Sequence, residues 1–277
     1  MRCAWQAYLN LLPFWMRPHV DILGRDSLQE TRLRIGKPPK LVLKNGVKSL
    51  SGVVSKDDIK FIINTASRYS PWAALSVSHG YLTGAGGHRI GICGQADIHE
   101  KGIIEPSSLC IRVSRDFPGI ARELCRLEGS ILLIGPPGSG KTSLLRDLIR
   151  EKSNHLDGSV SVVDEKGEIF PAFEGQSCYP AGENTDIMTG CTKPYGIETV
   201  LRNMGPKIIA VDEITAQKDC EALLHAGWCG VELLATLHAA SMDDLHKRPV
   251  YKPLAESGLF RNFIIMKADK TWNVERI

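Results

Sequence analysis

Eight consecutive residues have the types and spacing needed to hold the phosphates of a nucleotide. They are Gly135, Pro136, Pro137, Gly138, Ser139, Gly140, Lys141 and Thr142, and Ser143 follows them. This order fits the pattern G-x-x-x-x-G-K-[ST] in full. Glycines let a loop wrap around phosphate with several N–H groups pointing inward. The Lys141 ammonium would neutralise the outer phosphates and the Thr142 hydroxyl would bind Mg²⁺, so the pattern predicts a site for ATP with magnesium.

Pairs of acidic residues end two apolar runs and could hold a metal or activate water. Asp212 and Glu213 follow the apolar run 207–211. In P-loop enzymes we expect such a strand to lie beside the P-loop strand, with Asp212 holding a magnesium-bound water and Glu213 polarising the attacking water. Asp164 and Glu165 repeat the pattern after an earlier apolar run. They could lie at the same edge of the sheet, or they could simply form a solvated strand end.

Other polar residues could complete such a site. Thr236 and His238 end the run A-T-L-H and could sense the terminal phosphate by hydrogen bonding, although a single histidine is more often a core or surface residue. Arg89, Arg112 and Arg115 fall on strand-like segments of the first half. They are either surface charges or arginines offered to the nucleotide of a neighbouring subunit, and the residues alone favour neither interpretation.

The second half of the chain alternates between strand-like and helix-like segments. Continuous apolar runs predict buried strands at 130–134, 160–163, 207–211 and 231–237, and helical patterns cover 141–152 and 216–228. This alternation predicts a parallel sheet with helices on both sides. The phosphate pattern lies between a predicted strand and a predicted helix, which is the context that the pattern requires.

The first half is predicted to contain short strands and turns with one helix. Residues 31–35 and 40–44 alternate between polar and apolar types, and Asn45 and Gly46 then form a turn signal. A capping box at Ser55 and Asp58 predicts the start of the helix. The stretch 84–87, G-A-G-G, is interpreted as a hairpin turn, and 108–115 as another strand. Residues 1–122 are therefore predicted to form a small α+β domain and residues 123–277 an α/β domain.

Composition excludes several classes of protein. Hydrophobic residues make up 43% of the 277 residues and charged residues 23%, as in ordinary globular proteins. A net charge of +3 is too small to predict nucleic-acid binding, and no run approaches the roughly 20 apolar residues of a membrane span. None of the eight cysteines forms a C-x-x-C pair, so free thiols in a reducing compartment are expected.

Several longer stretches together resemble one family. They are E-T-R-L-R-I-G-K-P (30–38), G-G-H-R-I-G-I-C-G (86–94), S-S-L-C-I-R-V-S-R (107–115), G-P-P-G-S-G-K-T-S-L-L-R-D-L (135–148), V-V-D-E-K-G-E-I (162–169), L-R-N-M-G-P-K-I-I-A-V-D-E-I (201–214) and A-T-L-H-A (235–239). With these stretches the chain resembles the stage III sporulation protein AA family, relatives of the type II and type IV secretion ATPases. The resemblance covers nearly the whole chain. It implies a RecA-like P-loop NTPase domain with a smaller N-terminal α+β domain.

The resemblance also assigns roles to residues singled out above. Asp164 and Glu165 resemble the family's acidic box near the metal, Asp212 and Glu213 its Walker B pair, and Thr236 and His238 its histidine box. Arg89 and Arg112 resemble the first-domain arginines that reach ATP in secretion ATPases, and Arg202 is a further candidate. It further implies a hexameric ring of identical subunits. The ring is expected in the mother-cell cytoplasm, peripheral at the forespore membrane and bound to integral membrane proteins of the sporulation channel.

The combined prediction is an ATP-hydrolysing secretion-type ATPase with ATP and Mg²⁺ as ligands and no nucleic-acid partner. Two other functions stay open at the level of sequence. One is a motor stimulated by nucleic acid. The other is a scaffold that binds ATP in order to assemble and does not hydrolyse it.

Overall fold

A computed structural model describes residues 1–68, 80–97, 102–155 and 158–276. The chain forms two compact units, and the first of them is built from two separate stretches of sequence. The first unit comprises Met1–Asp116 and Pro171–Cys178, and the second comprises Phe117–Phe170 and Tyr179–Ile277. Among the described residues, no helix combines the length and the apolar character needed to cross a membrane.

The helices and strands follow one another along the chain in the following order. Up to residue 116 the elements are α1 (Trp5–Leu11), α2 (Arg17–Asp21), α3 (Gly24–Ser27), β1 (Leu28–Arg34), β2 (Lys40–Leu43), β3 (Gly46–Ser49), α4 (Lys56–Ser67), β4 (Tyr81–Thr83), β5 (Arg89–Asp97) and β6 (Gly102–Arg112). From residue 117 they are β7 (Ser130–Ile134), α5 (Lys141–His155), β8 (Val160–Asp164), β9 (Ala172–Phe173), β10 (Gln176–Ser177), β11 (Thr185–Thr189), α6 (Lys193–Asn203), β12 (Ile208–Ile214), α7 (Gln217–Trp228), β13 (Glu232–Leu237), α8 (Met242–Lys247), α9 (Lys252–Glu256), β14 (Phe260–Met266) and β15 (Trp272–Arg276).

Six strands of the first unit form an antiparallel sheet in the order β3-β2-β1-β6-β5-β4. The predicted hairpin is confirmed, because Leu43 of β2 pairs with Gly46 of β3 across a two-residue turn. The predicted capping box is also present, with the Asp58 N–H donating to Ser55 Oγ and the Ser55 N–H donating to the Asp58 carboxylate. The prediction of a single helix is wrong, because α1, α2 and α3 precede β1. These helices have seven residues or fewer, which is too short for a helical period to stand out.

The predicted turn at 84–87 joins β4 to β5, and two of its glycines lie where a side chain would collide. Gly86 and Gly87 both have positive φ, at 74° and 79°. A Cβ on Gly86 would lie 2.3 Å from the Cβ of Ala4, and a Cβ on Gly87 would lie 2.8 Å from Pro171 Cγ. The G-G-H stretch therefore allows the N-terminal segment and the segment 171–178 to approach the same turn.

His88 follows these glycines and is fully buried in the first unit. Its Nε2 lies 3.0 Å from the carbonyl oxygen of Ala4, and its Nδ1 accepts the N–H of Ser114 at 3.0 Å. The second contact requires Nδ1 to be unprotonated, so Nε2 carries the hydrogen and donates it. Burial lowers the pKa of His88 to about 4, and the ring therefore packs as a neutral group.

The hairpin β9–β10 belongs to the first unit although it lies far along the chain. Arg68, which ends α4, forms an ion pair with Glu174 in this hairpin and lies 5.2 Å from the ring centroid of Phe173. The predicted division into 1–122 and 123–277 therefore differs from the observed units at this segment. A sequence pattern read locally does not reveal a contact between residues that are 106 positions apart.

The division also differs at residues 117–122, which lie in the second unit. The N–H groups of Gly119 and Ala121 donate to the carboxylate of Asp147 at 3.0 and 2.8 Å. Asp147 is fully buried on α5 and also pairs with Arg150 at 2.7 Å. These bonds fix the segment to α5, so the boundary falls at Asp116 and not at residue 122.

Seven strands of the second unit form a sheet in the order β11-β8-β12-β13-β7-β14-β15, which is parallel except for the pair β14–β15. Leu132 and Ile134 of β7 pack into one apolar cluster with α6 and α7, whereas Ile131 and Leu133 pack into another with α5. The predicted parallel sheet with helices on both faces is therefore confirmed.

Candidate active site

The loop 135–140 connects β7 to α5, as the phosphate pattern requires. Gly138 and Gly140 have φ values of 76° and 96°, a region that residues with a Cβ rarely enter. A Cβ on Gly135 would lie 2.7 Å from the carbonyl oxygen of Met266 on β14. The glycines of the pattern are therefore required by the path of the loop itself, and the N-terminus of α5 faces the loop.

The ammonium of Lys141 is held by three acceptors at the base of the loop. Its Nζ donates to the carbonyl oxygens of Gly135 and Pro136 at 2.8 and 2.9 Å and lies 2.9 Å from Nδ1 of His238. Burial lowers the pKa of Lys141, while the carboxylates of Glu213 and Asp212 oppose that shift. Lys141 and His238, which are 97 residues apart in sequence, are therefore in direct contact.

Asp212 accepts hydrogen bonds from three parts of the second unit. The Thr236 hydroxyl donates at 2.9 Å, the N–H of Glu213 at 2.9 Å, and the Thr142 hydroxyl lies 3.3 and 3.5 Å from the two carboxylate oxygens. The pairing of β12 with β13 is interrupted between Val211 and Ile214, which is where the two acids lie. Because parallel strands end at a common edge, β7, β12 and β13 bring these groups together.

The expectation that the Asp212 strand lies beside the P-loop strand is wrong. Strand β13 pairs with both β7 and β12 and separates them. This order has a chemical consequence, because Thr236 and His238 then lie between the phosphate loop and the acids. The order of strands depends on pairings between distant segments, which apolar runs in the sequence do not encode.

Glu213 and His238 form a second contact at the same edge of the sheet. Nε2 of His238 lies 3.0 Å from Oε1 of Glu213. Lys141 can only donate to Nδ1, so the hydrogen of a neutral His238 is on Nε2 and is donated to Glu213. The side chain of Glu213 is 41% exposed. A chain of contacts therefore runs from Lys141 through His238 to a carboxylate that solvent can reach.

Asp164 and Glu165 lie at the end of β8, where they bond to residues outside the phosphate loop. Asp164 is almost fully buried and accepts the N–H groups of Glu168 and Phe170, each at 2.8 Å. Burial raises its pKa, and the nearby Asp212 raises it further. Glu165 pairs with Lys193 at 2.6 Å. Asp164 thus organises the loop that follows it, and the metal-binding role assigned to both acids stays a prediction.

A cavity of about 520 Å³ joins the phosphate loop to an apolar wall. Residues 137–144 and the side chains of Asp212, Glu213, Thr236 and His238 line one part of it. The other lining residues are Phe117, Ile120, Glu168, Met266, Lys270 and Trp272. Sequence reasoning missed these six residues. Glu168 belongs to the stretch 162–169 that resembles the family, but its position depends on the turn that Asp164 holds. The other five residues follow no recognisable motif.

The arginines assigned to ATP occupy two different places. Arg89 and Arg112 are cross-strand partners on β5 and β6 in the first unit. The guanidinium of Arg89 lies 4.3 Å from the ring centroid of Tyr81, and Arg112 lies 3.7 Å from Glu30. Arg202 is in the second unit and pairs with Glu198 on α6 at 2.5 Å. The contribution of these arginines to a nucleotide site stays a prediction.

The residues present fit a nucleotide triphosphate with magnesium. The hydroxyl oxygen of Ser139 in the phosphate loop is buried and, among the described residues, is one of two buried side-chain polar atoms without a hydrogen-bond partner. A buried hydroxyl of this kind is usually matched by some partner. The oxygens of Thr142 and Asp212 are of the hard type that Mg²⁺ prefers. Phosphates at the loop would supply the partner that the Ser139 hydroxyl lacks and acceptors for the N–H groups of the loop.

Comparison with solved structures identifies the fold. The fold matches the pilus retraction motor PilT, solved with bound ADP, at a TM-score of 0.63 over 92% of this chain and 78% of the other, with 17% identity. It matches the ATPase DotB of Legionella pneumophila at a TM-score of 0.56 over 96% and 80%, with 16% identity. The fold is therefore that of the P-loop secretion ATPases, with a RecA-like domain and a smaller α+β domain.

Sequence comparison then identifies the family. The family model described as "Sporulation stage III, protein AA" matches residues 16–276. Stage III sporulation protein AA of Bacillus subtilis strain 168 is 34% identical over 257 residues, which are 88% of this chain and 84% of the relative. The chain belongs to the sporulation stage III protein AA family, as the resemblance in its motifs predicted.

Proposed function

We propose that this protein hydrolyses ATP and passes the resulting mechanical work to a membrane-associated complex formed during sporulation. The observation that carries this proposal is the pair of contacts that places Glu213 beside His238 and His238 beside Lys141. A simple phosphate-binding loop would not need an exposed carboxylate aligned in this way. Membership of the family supports the sporulation context.

The cavity has one end suited to phosphates and another suited to a base. Ser139 and the N–H groups at the start of α5 would bind the phosphates. Lys141 would join them by exchanging its contacts with the carbonyl oxygens of Gly135 and Pro136 for phosphate oxygens. Phe117, Ile120, Met266 and Trp272 would pack against the nucleobase, because flat apolar surface favours an aromatic ring. The two ends together fit a nucleotide better than they fit inorganic phosphate alone.

Glu213 would act as the general base of hydrolysis. Its carboxylate would orient a water molecule and accept a proton from it as the water attacks the terminal phosphate. His238 would hold Glu213 by donating from Nε2, and Lys141 would fix the histidine ring from the other side. Thr142 and Asp212 would hold Mg²⁺, which when bound neutralises charge on the phosphates. Thr236 keeps Asp212 in position for that task.

The family also supports a proposal on assembly and location. We propose that the protein forms a hexameric ring of identical subunits, as the resemblance to the family implies. The ring would lie on the mother-cell side of the forespore membrane. Integral membrane proteins of the sporulation channel would be its partners. Arg89 or Arg112 of a neighbouring subunit would then complete the charge around the phosphates.

Substitution of Glu213 by Gln tests the enzymatic part of the proposal. We expect ATP to bind with similar affinity while phosphate release falls by roughly 10²- to 10⁴-fold, because a general base is lost and the shape is kept. Glu256→Gln, an exposed residue of α9 that pairs with Lys252, is the matched control and should release phosphate at the normal rate. Unchanged phosphate release in Glu213→Gln would refute hydrolysis by this site.

The same variant separates the proposal from the two other functions. Size-exclusion chromatography with light scattering, in ATP, should show a ring of Glu213→Gln subunits. A monomer under these conditions would refute the ring. A wild-type protein that assembles in ATP without releasing phosphate would favour a scaffold, and an ATPase rate that rises with single-stranded nucleic acid would favour a nucleic-acid motor.

A further inference from the structure

A second group of residues with metal-binding side chains lies in the second unit, outside the nucleotide cavity. Cys125 belongs to a short 3₁₀ turn, 124–126, that packs on α5. Glu151 and His155 are one helical turn apart near the end of α5. One ligand atom from each of the three residues lies within 4.8 Å of the other two. None of the three lines the nucleotide cavity.

The chemistry of this group suits a borderline transition cation. A thiolate, an imidazole nitrogen and a carboxylate oxygen are the three ligand types that Zn²⁺ accepts, whereas Mg²⁺ and Ca²⁺ select oxygens. Three atoms spaced by 4.8 Å can share a centre about 2.8 Å from each, and zinc requires roughly 2.0–2.3 Å. Small rotamer changes would close that gap, since Glu151 Oε2 and His155 Nε2 are already 3.9 Å apart.

The contacts around Cys125 leave its thiol able to bind a metal ion. The Cys125 thiol makes one weak hydrogen bond, to the carbonyl oxygen of Arg122 at 3.0 Å. The ammonium of Lys152 donates to the carbonyl oxygen of Leu127 and interacts electrostatically with Glu232, Cys125 and Glu128. A thiolate at Cys125 would therefore have a cation nearby.

We propose that Cys125, Glu151 and His155 form a site for Zn²⁺, completed by water. Three protein ligands and one open position are typical of an exchangeable site, not of a closed structural one. The site would connect the turn 124–126 to the last turns of the helix whose first residue is Lys141. Zn²⁺ would therefore stabilise α5 from the end opposite the phosphate loop.

Cobalt and zinc titrations of the purified protein without nucleotide test this site. Co²⁺ should bind with a stoichiometry of one and give a thiolate-to-cobalt charge-transfer band, which Zn²⁺ removes. Cys125→Ser should abolish the band. His155→Ala removes an exposed ligand with little risk to folding and should weaken Zn²⁺ binding at least tenfold, the loss typical even of an outer-shell partner.

The controls use two exposed cysteines outside the proposed site, Cys93 and Cys229. Cys93→Ser and Cys229→Ser should keep both the cobalt band and the Zn²⁺ affinity, measured by competition with a chromogenic chelator. Zn²⁺ should also raise the unfolding temperature of the wild type but not that of His155→Ala. A wild-type protein without a thiolate band, or a His155→Ala protein with undiminished Zn²⁺ affinity, would overturn the proposal.

Discussion

At the scale of single residues, Asp212 is the group on which the site depends. It receives hydrogen bonds from Thr142 at the start of α5, from Thr236 on β13 and from its own neighbour Glu213. A carboxylate oxygen can accept more than one hydrogen bond, so Asp212 can make all three contacts at once. Of the two threonines, Thr236 is the closer and would restrain Asp212 whether or not Thr142 turns toward a metal.

Substitution of Thr236 by Val should therefore weaken the use of magnesium. A hydrogen bond to a charged group contributes about 1.5–3 kcal/mol, so we expect the ATPase rate to fall roughly tenfold or more. The Mg²⁺ concentration needed for half-maximal activity should rise. Thr199→Val, which removes a hydroxyl bonded to its own helix, is the control. An unchanged Mg²⁺ dependence in Thr236→Val would contradict the role given to this threonine.

At the scale of elements, α5 holds the loop 165–170 as well as the phosphate loop. The guanidinium of Arg146, one turn into the helix, donates to the carbonyl oxygens of Ile169 and Glu168 and lies 4.7 Å from the ring centroid of Tyr179. Phe170 and Tyr179 are the last and first residues of the second unit on either side of the segment 171–178. Arg146 thus fixes the chain where it leaves the unit and where it returns.

Substitution of Arg146 by Met should loosen this loop. It removes the guanidinium that donates to the carbonyl oxygens of Ile169 and Glu168, and loss of the buried bond to Ile169 alone should cost about 1–3 kcal/mol. Amide hydrogen exchange should accelerate at Glu168 and Phe170, whose N–H groups bond to Asp164. Arg202→Met, on the surface of α6, should leave exchange at these amides unchanged. Normal protection at both amides in Arg146→Met would show that Asp164 holds the loop alone.

The elements also show what the sequence could and could not predict. Lys141, Thr142 and Asp212 could be proposed as site residues because their chemistry is written in short local patterns. Strand β7 matched its prediction because it is buried on both faces. The position of β13 between β7 and β12 was not predictable from apolar runs, because strand order depends on distant pairings. Trp272 was missed for a related reason, since only the path of β14 and β15 brings it to the cavity.

At the scale of the whole molecule, the first unit carries a buried neutral histidine that should make its stability depend on pH. The pKa of His88 is about 4 in the folded protein, against an ordinary value of 6.5. Between pH 4 and pH 6.5 the unfolded chain therefore binds a proton at this histidine, whereas the folded protein does not. Stability from this group is fully present above pH 6.5 and is lost as pH falls toward 4, by up to about 3 kcal/mol.

Urea unfolding followed across this pH range measures the effect. The unfolding free energy of the wild type should fall more steeply than that of His88→Gln, and the difference between the two isolates His88 from other titrating groups. His88→Gln should be less stable than the wild type at neutral pH. The control, His225→Gln on the exposed side of α7, should follow the wild type. Parallel pH profiles for the wild type and His88→Gln would contradict the lowered pKa.

The hairpin β9–β10 belongs to the first unit, although its residues lie between two stretches of the second unit in the sequence. This arrangement has an evolutionary consequence. The backbone passes between the units three times, after Asp116, Phe170 and Cys178. A gene fragment that stops at residue 116 would lack β9 and β10, and one that starts at residue 117 would encode them without the turn against which they pack. Recombination at a single breakpoint therefore cannot exchange either unit intact, so the two should be inherited together as one indivisible module.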